Sequence, residues 1–309
     1  MNIAGLSLRD LDYVVAVADH RHFGKAAERC AVSQPSLSAQ IRKLEGFLGV
    51  TLFERTSRRV LPTPAGEAVI RQARVVLAAA ADLIAVARGG AAGALTDRLA
   101  VGAIQTLGPY LFPHLLPAMR RHLPDVQLIL SEGRTEGLLE ELHDGRLDAV
   151  LLSLPTGGDG FAAEALFFEP FRLAHPTGHR LEALPSIALA DLDPGELVLL
   201  EEGHCLRDQA LAVCGATARG LRHATGLETL RHMVAAGTGY TLMPALAAGA
   251  GTDVGGLVAY RSIDGDATGR TVGLVWRASD PRTPGFRDLA GRLRAAAPPG
   301  VSRPVDASR

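Results

Sequence analysis

Residues 23–66 read "FGKAAERCAVSQPSLSAQIRKLEGFLGVTLFERTSRRVLPTPAG". In the middle of that segment Ser33 is placed to cap a helix, and Pro35 is readily tolerated only in a helix's first turn. Leu37, Ile41, Leu44 and Leu48 follow at helical spacing and share one face. At about 100° per residue, the far side and its edge show Pro35, Ser36, Ser38, Ala39, Arg42 and Lys43. Short polar side chains flanked by basic ones suit a helix lying in the major groove of double-stranded DNA. Small hydroxyls permit close approach, and Arg or Lys reaches phosphates or guanine edges. Before this helix, residues 22–30 read as a short helix and residues 31–32 as a tight turn. Earlier still, Leu8, Leu11, Val14, Val15 and Ala18 form a helical stripe. After it, "LFERTSRRVLPTPAG" reads as two short strands around a basic turn, with Arg55, Arg58 and Arg59 available to phosphates. Any one of these charges is more simply a solvated face. The order of helix, short helix, turn, polar helix and basic wing points to a DNA reader. Its candidate contacts are Ser33, Gln34, Pro35, Ser36, Ser38, Gln40, Arg42, Lys43, Arg55 and Arg58.

The charge balance agrees. The 309 residues carry a net −1, yet residues 1–66 hold nine Lys/Arg against six Asp/Glu, including both lysines, Lys25 and Lys43. A basic head on an acidic remainder fits nucleic-acid binding by one part only. With 47% hydrophobic and 21% charged residues, the chain has material for two or three globular domains rather than for disorder. Two long uncharged stretches are too broken to span a membrane: residues 99–119 contain Pro109, Pro113 and Pro117, and residues 233–252 contain Pro244 and four glycines. The opening "MNIAGLSLRDLD" lacks the pattern of a secretory signal, so a cytoplasmic protein without membrane contact is expected. In that reducing setting a disulfide is more often functional than structural.

Residues 23–66 resemble the winged helix-turn-helix of the LysR-type transcriptional regulators, on the S-Q-P-S-L-S-x-Q-I-x-x-L-E core and the L-F-E-R-T wing. Beyond them Val69, Ala73, Val76, Ala80, Leu83 and Ala87 alternate spacings of four and three, a coiled-coil seam on a helix of roughly 35 Å. The resemblance implies that this helix pairs with a second subunit. Gly89, Gly90 and Gly93 stop it and suggest a hinge. The remainder alternates apolar runs such as "RLAVGAI", "DVQLIL", "DAVLLSL", "ELVLL" and "TVGLVW" with helical stretches, an α/β pattern. The family implies two subdomains like those of periplasmic solute-binding proteins. The expected organisation is a winged helix-turn-helix domain (1–63), a linker and dimerisation helix with hinge (64–96), and an α/β regulatory domain (97–297). Its first subdomain takes 97–168 and 271–297, its second 169–270, and a mobile tail (298–309) follows.

Three cysteines occur. Cys30 reads as packing within the head. Cys205 and Cys214 bracket "CLRDQALAVC", and the residues leave open buried packing, metal ligation or a thiol pair that changes state. A metal site is disfavoured, because His204, Asp208 and Cys214 lack the tight pairing of structural zinc ligands. No Gly-x-Ser-x-Gly, phosphate loop or dinucleotide fingerprint is present, so no cofactor is expected. Thiolate is the nucleophilic form, and it is favoured beside cations and at helix N-termini. Cys205 lies between His204 and Arg207 and opens a helical stretch, whereas Cys214 has apolar neighbours. If residues 205–214 are helical, the two cysteines stand about 13–14 Å apart along the axis and on opposite faces. A disulfide needs Cα atoms within about 7 Å, so the pair cannot be bridged while that helix stands.

"GHCLRDQA" with a second cysteine nine residues after the first, "TLGPYLFPHLLP", "LETLRHMVAAGTGYTLMPALA" and "RTVGLVWR" resemble the hydrogen-peroxide-sensing branch of the same family. The likeness runs from residue 1 to about 297 and breaks at "CGATARGLRHAT". It implies that Cys205 is the peroxidatic cysteine and Cys214 the resolving one. Thr106 and Thr135 would hold the two peroxide oxygens, His204 would shape the pocket, and Arg207, Asp208 and Arg270 would surround it. It further implies a regulator that is not an enzyme, assembled as a dimer of dimers. RNA polymerase is an expected partner, and a glutaredoxin or thioredoxin an expected reductant. Two rivals are a LysR-type regulator sensing a small metabolite between its subdomains, which would still respond without cysteines, and a DNA-binding thiol peroxidase, which would turn over peroxide repeatedly.

Overall fold

The computed structural model describes residues 5–55, 60–87, 94–157, 159–215, 222–250, 254–264 and 268–304. The chain divides into two compact units, one of Met1–Ala92 with His143–Arg146 and one of Gly93–Leu142 with Leu147–Arg309.

In the first unit, α1 (Leu8–His20) starts where Ser7 and Asp10 form a reciprocal capping box. α2 (Phe23–Arg29) is capped by the His22 ring. α3 (Gln34–Leu48) is capped by Ser33, whose hydroxyl accepts from the Ser36 N–H at 3.3 Å. Ala31, with φ of 52°, makes the turn between the last two. Val14, Val17, Ala26, Leu37, Ile41 and Leu44 form the core of the three helices, so the apolar face read from α3 points inward. The wing consists of β1 (Phe53–Arg55) antiparallel to β2 (Val60–Pro62). It is fastened to α3 by Glu45, which accepts from the Leu52 and Phe53 N–H groups at 2.8 and 3.3 Å.

The long α4 (Pro64–Ala87) begins at Thr63, whose hydroxyl accepts from the Gly66 N–H. A Cβ on Gly66 would lie 2.0 Å from the Leu52 carbonyl oxygen, so only glycine lets the helix start this close to the wing. One part of the expected seam is corrected. Ala73 is buried against Leu11 and Val15 of α1, and Val69 packs on the head core. Neighbouring α1 presents apolar side chains to those turns. Val75, Val76, Leu83 and Ile84 remain exposed, with Val76 and Leu83 one heptad apart. The glycines at 89, 90 and 93 lie outside the described residues.

The second unit is built on one seven-stranded sheet. In chain order its elements are β3 (Arg98–Ile104), α5 (Gly108–His122), β4 (Gln127–Gly133), α6 (Thr135–His143), β5 (Ala149–Leu154) and β6 (Phe161–Pro176). After these come β7 (Leu199–Leu200), α7 (Cys205–Cys214), β8 (His223–Ala224), α8 (Leu227–Ala235), β9 (Thr241–Pro244), α9 (Ala245–Gly249), β10 (Val258–Arg261), β11 (Gly269–Arg277) and α10 (Thr283–Ala295). The sheet order is β10-β6-β11-β5-β3-β4, with β9 also on β6; β7 and β8 pair separately. β3 lies parallel to β4 and β5, an arrangement that needs the crossover connections α5 and α6 supply.

β6 is not among the strands named from the sequence, and it contains Pro170, a residue that ordinarily argues against a central strand. It is accommodated where the strand changes partners. Up to Pro170, β6 pairs with β11; from Phe171 onward it pairs with β9 and β10. The hydrophobic core changes at the same place. Leu99, Leu111, Val150, Phe167, Leu274 and Trp276 belong to one cluster, and Phe171, Leu173, Leu199, Leu206, Leu230 and Tyr240 to another. Of "ELVLL", only the last two residues form a strand, β7. The tail is corrected as well. Phe168 and Ser302 exchange backbone hydrogen bonds at 2.9 Å, so the chain is tied down through Ser302. The edge of β6 opposite β11 is unfilled at that point, and the tail occupies it.

Candidate functional site

On the head, Ser33, Gln34, Pro35, Ser36, Gln40, Arg42 and Lys43 are all exposed along α3. Ser38 is not. It is buried beside Leu37 and Ile41, because one step around the helix from Leu37 still faces the core. Ser33 is engaged in capping. Arg55 ends β1 but its side chain is not described, and Arg58 and Arg59 lie outside the described residues. The result is an exposed polar and basic helix face, with one large apolar side chain, Phe47, exposed near its C-terminal end.

The thiol site lies within the second unit. α7 begins at Cys205 and ends at Cys214, as the sequence led one to expect, and both thiols are free. Its N-cap, His204, makes no side-chain cap bond, so the first-turn N–H groups are not taken by that side chain. Gly215 ends the helix with φ of 60°. The two sulfurs are held by different cores: half-buried Cys205 packs on the first cluster and Cys214 on the second. Burial pushes the Cys214 thiol up to about 11, against the opposing hydrogen bond with the Tyr240 hydroxyl. Cys30 packs on the head core, and burial raises its thiol too.

The expected pocket residues are partly brought together. Thr106 and Arg270 are both buried and joined, with Arg270 Nη1 donating to Thr106 Oγ1 at 2.8 Å and Nη2 to the Thr106 carbonyl at 2.9 Å. Thr135 opens α6 and is half-buried. The start of α6 faces the start of α7: a side chain on Gly203 would meet the Arg134 side chain at 3.2 Å, and Arg134 pairs with Glu201 at 3.5 Å. Arg207 is buried, but its guanidinium is occupied by the Leu200 carbonyl at 3.0 Å and lies 3.9 Å from Glu202. Asp208 is exposed. Burial first, and then the Arg134 cation, lower the His204 pKa, so its imidazole is neutral and adds no positive charge beside Cys205. The sequence neighbours His204 and Arg207 suggest flanking cations, whereas in the structure Arg134 is the cation acting on His204. Gln209, one turn after Cys205, was missed from the sequence; it donates to Ser153 Oγ on β5 at 2.8 Å. Its spacing of four from Cys205 was the available signal. Glu169 was missed too; its carboxylate takes Arg270 Nε at 2.8 Å. No group of three or more possible metal ligands occurs among the described residues, nor does any helix long and apolar enough to cross a membrane.

The His204 shift has a measurable consequence. The unfolded imidazole titrates near 6.5 and the folded one lower, so as pH falls the unfolded chain takes up its proton first. The stability contributed by neutral His204 is complete above about pH 6.5 and is lost as pH falls from there through the folded value. His204→Gln should therefore lose less thermal stability than the wild type between about pH 7.5 and pH 5. His179, lowered mainly by burial, keeps part of the effect in both proteins. Equal losses would contradict the assignment.

Comparison with known proteins identifies the family of each part of the chain. Residues 8–67 match the family of bacterial regulatory helix-turn-helix proteins of the lysR family, and residues 92–298 match the LysR substrate binding domain. The chain is 45% identical over 297 residues to the DNA-binding transcriptional dual regulator OxyR of Escherichia coli (strain K12), covering 94% of this chain and 95% of that one. It is 41% identical over 280 residues to a hydrogen peroxide-inducible genes activator of Haemophilus influenzae, covering 89% and 92%. A full-length OxyR cysteine-to-aspartate variant from Pseudomonas aeruginosa superposes with a TM-score of 0.83 at 40% identity, covering 94% of this chain and 95% of that one. A cysteine-to-serine OxyR mutant of Corynebacterium glutamicum with bound hydrogen peroxide gives 0.63 at 33% identity, covering 94% and 92%. The chain belongs to the lysR family of bacterial regulatory helix-turn-helix proteins and, within it, to the OxyR group of hydrogen peroxide-inducible genes activators.

Proposed function

We propose that this chain is a DNA-binding transcriptional regulator switched by hydrogen peroxide through Cys205 and Cys214. The Cys205 thiolate attacks one peroxide oxygen; the O–O bond breaks, the second oxygen leaves as water after taking a proton, and Cys205 becomes a sulfenic acid. The Cys214 thiol then attacks that sulfur, forms the disulfide and releases a second water. A dithiol reductant of the glutaredoxin or thioredoxin class restores both thiols by exchange. One oxidation serves as one signal, so the thiol chemistry does not make an enzyme. Thr106 and Thr135 are proposed to hold the peroxide, with Arg270 behind Thr106.

The observation that carries this reading is the placement of the two free thiols at opposite ends of one ten-residue helix, each against a different core. Bridging them requires α7 to lose its turns, and that couples thiol chemistry to a change of fold. Thiol mass spectrometry before and after one equivalent of hydrogen peroxide tests it: a Cys205–Cys214 disulfide is expected, and two unmodified thiols would end the proposal.

The exposed face of α3 is proposed to enter the major groove. Arg42→Ala should weaken operator binding by about 1–3 kcal/mol if Arg42 reads a base. If it contacts a phosphate, the salt dependence should fall by about one unit instead. Cys205 oxidation should be unaffected in either case. Unchanged affinity and salt slope would displace Arg42 from the interface. The exposed row of Val75, Val76, Leu83 and Ile84 on α4 is proposed to pair with the same row of a second copy, two such dimers forming the tetramer.

A further inference from the structure

Building on the pocket reading above, we infer that Glu169 is a positioning residue for peroxide binding: its carboxylate aims Arg270, and through Arg270 the hydroxyl of Thr106. Glu169 on β6 and Arg270 on β11 stand directly opposite each other in the sheet register, and neither side chain reaches solvent. Glu169 Oε2 accepts from Arg270 Nε at 2.8 Å and lies 2.8 Å from Nη2 as an ion pair, while Oε1 accepts from the Leu246 N–H at 2.9 Å. The carboxylate is thus fixed from two sides, by β11 and by the first turn of α9.

A guanidinium is a rigid planar fork, so holding its Nε edge decides where the other nitrogens point. Here they point to Thr106, at its Oγ1 and its carbonyl. Because Thr106 Oγ1 accepts from Arg270, its own proton is directed elsewhere. A hydroxyl so arranged presents a donor to an incoming oxygen, which a freely rotating hydroxyl does not do reliably. Glu169 is also the last residue before Pro170, after which β6 changes both its partners and its core. The clamp on Thr106 is therefore anchored where β6 passes from one core to the other. A buried ion pair is weak evidence for stability in itself, so a merely structural role makes a different forecast.

The test uses the reduced full-length chain carrying Cys214→Ser, so that oxidation stops at Cys205. Glu169→Gln keeps the shape and removes the charge; Glu169→Asp keeps the charge and withdraws it by one methylene. Two rates are read at Cys205: sulfenic acid formation with hydrogen peroxide, trapped by dimedone, and alkylation by iodoacetamide, which requires no oxygen-holding hydroxyl. Both variants should slow peroxide oxidation by about ten- to a hundredfold, as sub-ångström misplacement does, while alkylation changes by less than about twofold. Adding Thr106→Val to either should slow oxidation little further, because both changes act through one hydroxyl. If Glu169→Gln leaves Arg270 too poorly paired to fold, the charge-conserving aspartate variant still reads. Oxidation within about twofold of the parent in the aspartate variant, with Thr106→Val alone slow, overturns the role of Glu169 and leaves the pocket standing. Alkylation falling in step with oxidation overturns it as well. If Thr106→Val alone has no effect, the pocket reading itself fails.

Discussion

Cys205→Ser should abolish sulfenic acid formation and any peroxide-dependent change in DNA binding, whereas Cys214→Ser should abolish only the disulfide. A serine hydroxyl at position 205 is neither ionised nor oxidisable under these conditions. Cys214 cannot substitute for it. With its thiol held near 11 by burial, only about one molecule in three thousand carries the thiolate at pH 7.5. Cys205 is half-buried, at a helix start whose N-cap side chain leaves the first N–H groups uncapped. In Cys214→Ser, sulfenic acid should accumulate at Cys205, be trapped by dimedone, and pass to sulfinic acid with excess peroxide. In the wild type, disulfide formation should raise hydrogen exchange across residues 206–213, because about 13–14 Å of helix separates two atoms that must come within about 7 Å. If Cys214→Ser blocked the first oxidation and Cys205→Ser did not, the roles would be reversed. A peroxide response surviving in both variants would instead favour a metabolite sensed elsewhere.

Val76→Asp should dissociate the dimer proposed to form through α4. Val76 and Leu83 project from α4 with 44% and 70% of their surface exposed, in company with Val75 and Ile84. Burying one such side chain contributes about 1.5–3 kcal/mol, and a two-fold interface loses it twice. The aspartate also brings a carboxylate into an apolar contact with no partner in the row. The dimer dissociation constant should therefore rise at least about a hundredfold, read by light scattering across a dilution series, and operator affinity should fall with it. Ala73→Asp, on the face turned toward α1, should instead destabilise the head in thermal melts, since Ala73 is buried against Leu11 and Val15. A Val76→Asp dimer of unchanged strength would mean that this row is not the pairing surface.

Much of this molecule is legible within a few residues of any position. Ser7 with Asp10, and Ser33 with Pro35, announce where α1 and α3 begin, and the spacing of Leu37, Ile41 and Leu44 announces which side turns inward. The helix between Cys205 and Cys214, and hence its conflict with a disulfide, follows from the spacing alone once that stretch is read as helical. These signals are local, because capping, turn chemistry and side-chain period act over one or two turns. What the tertiary structure decided lies across long separations. Glu169 and Arg270 are 101 residues apart and meet only through the register of β6 and β11. Pro170 is compatible with a strand only because β6 changes partners there. The inward turn of Ser38, and of Val69 and Ala73 on α4, depends on what packs beside them, not on their own spacing. His204 is neutral and Arg134 is the cation near it because burial and proximity set charge, and neither is written in the order of the residues.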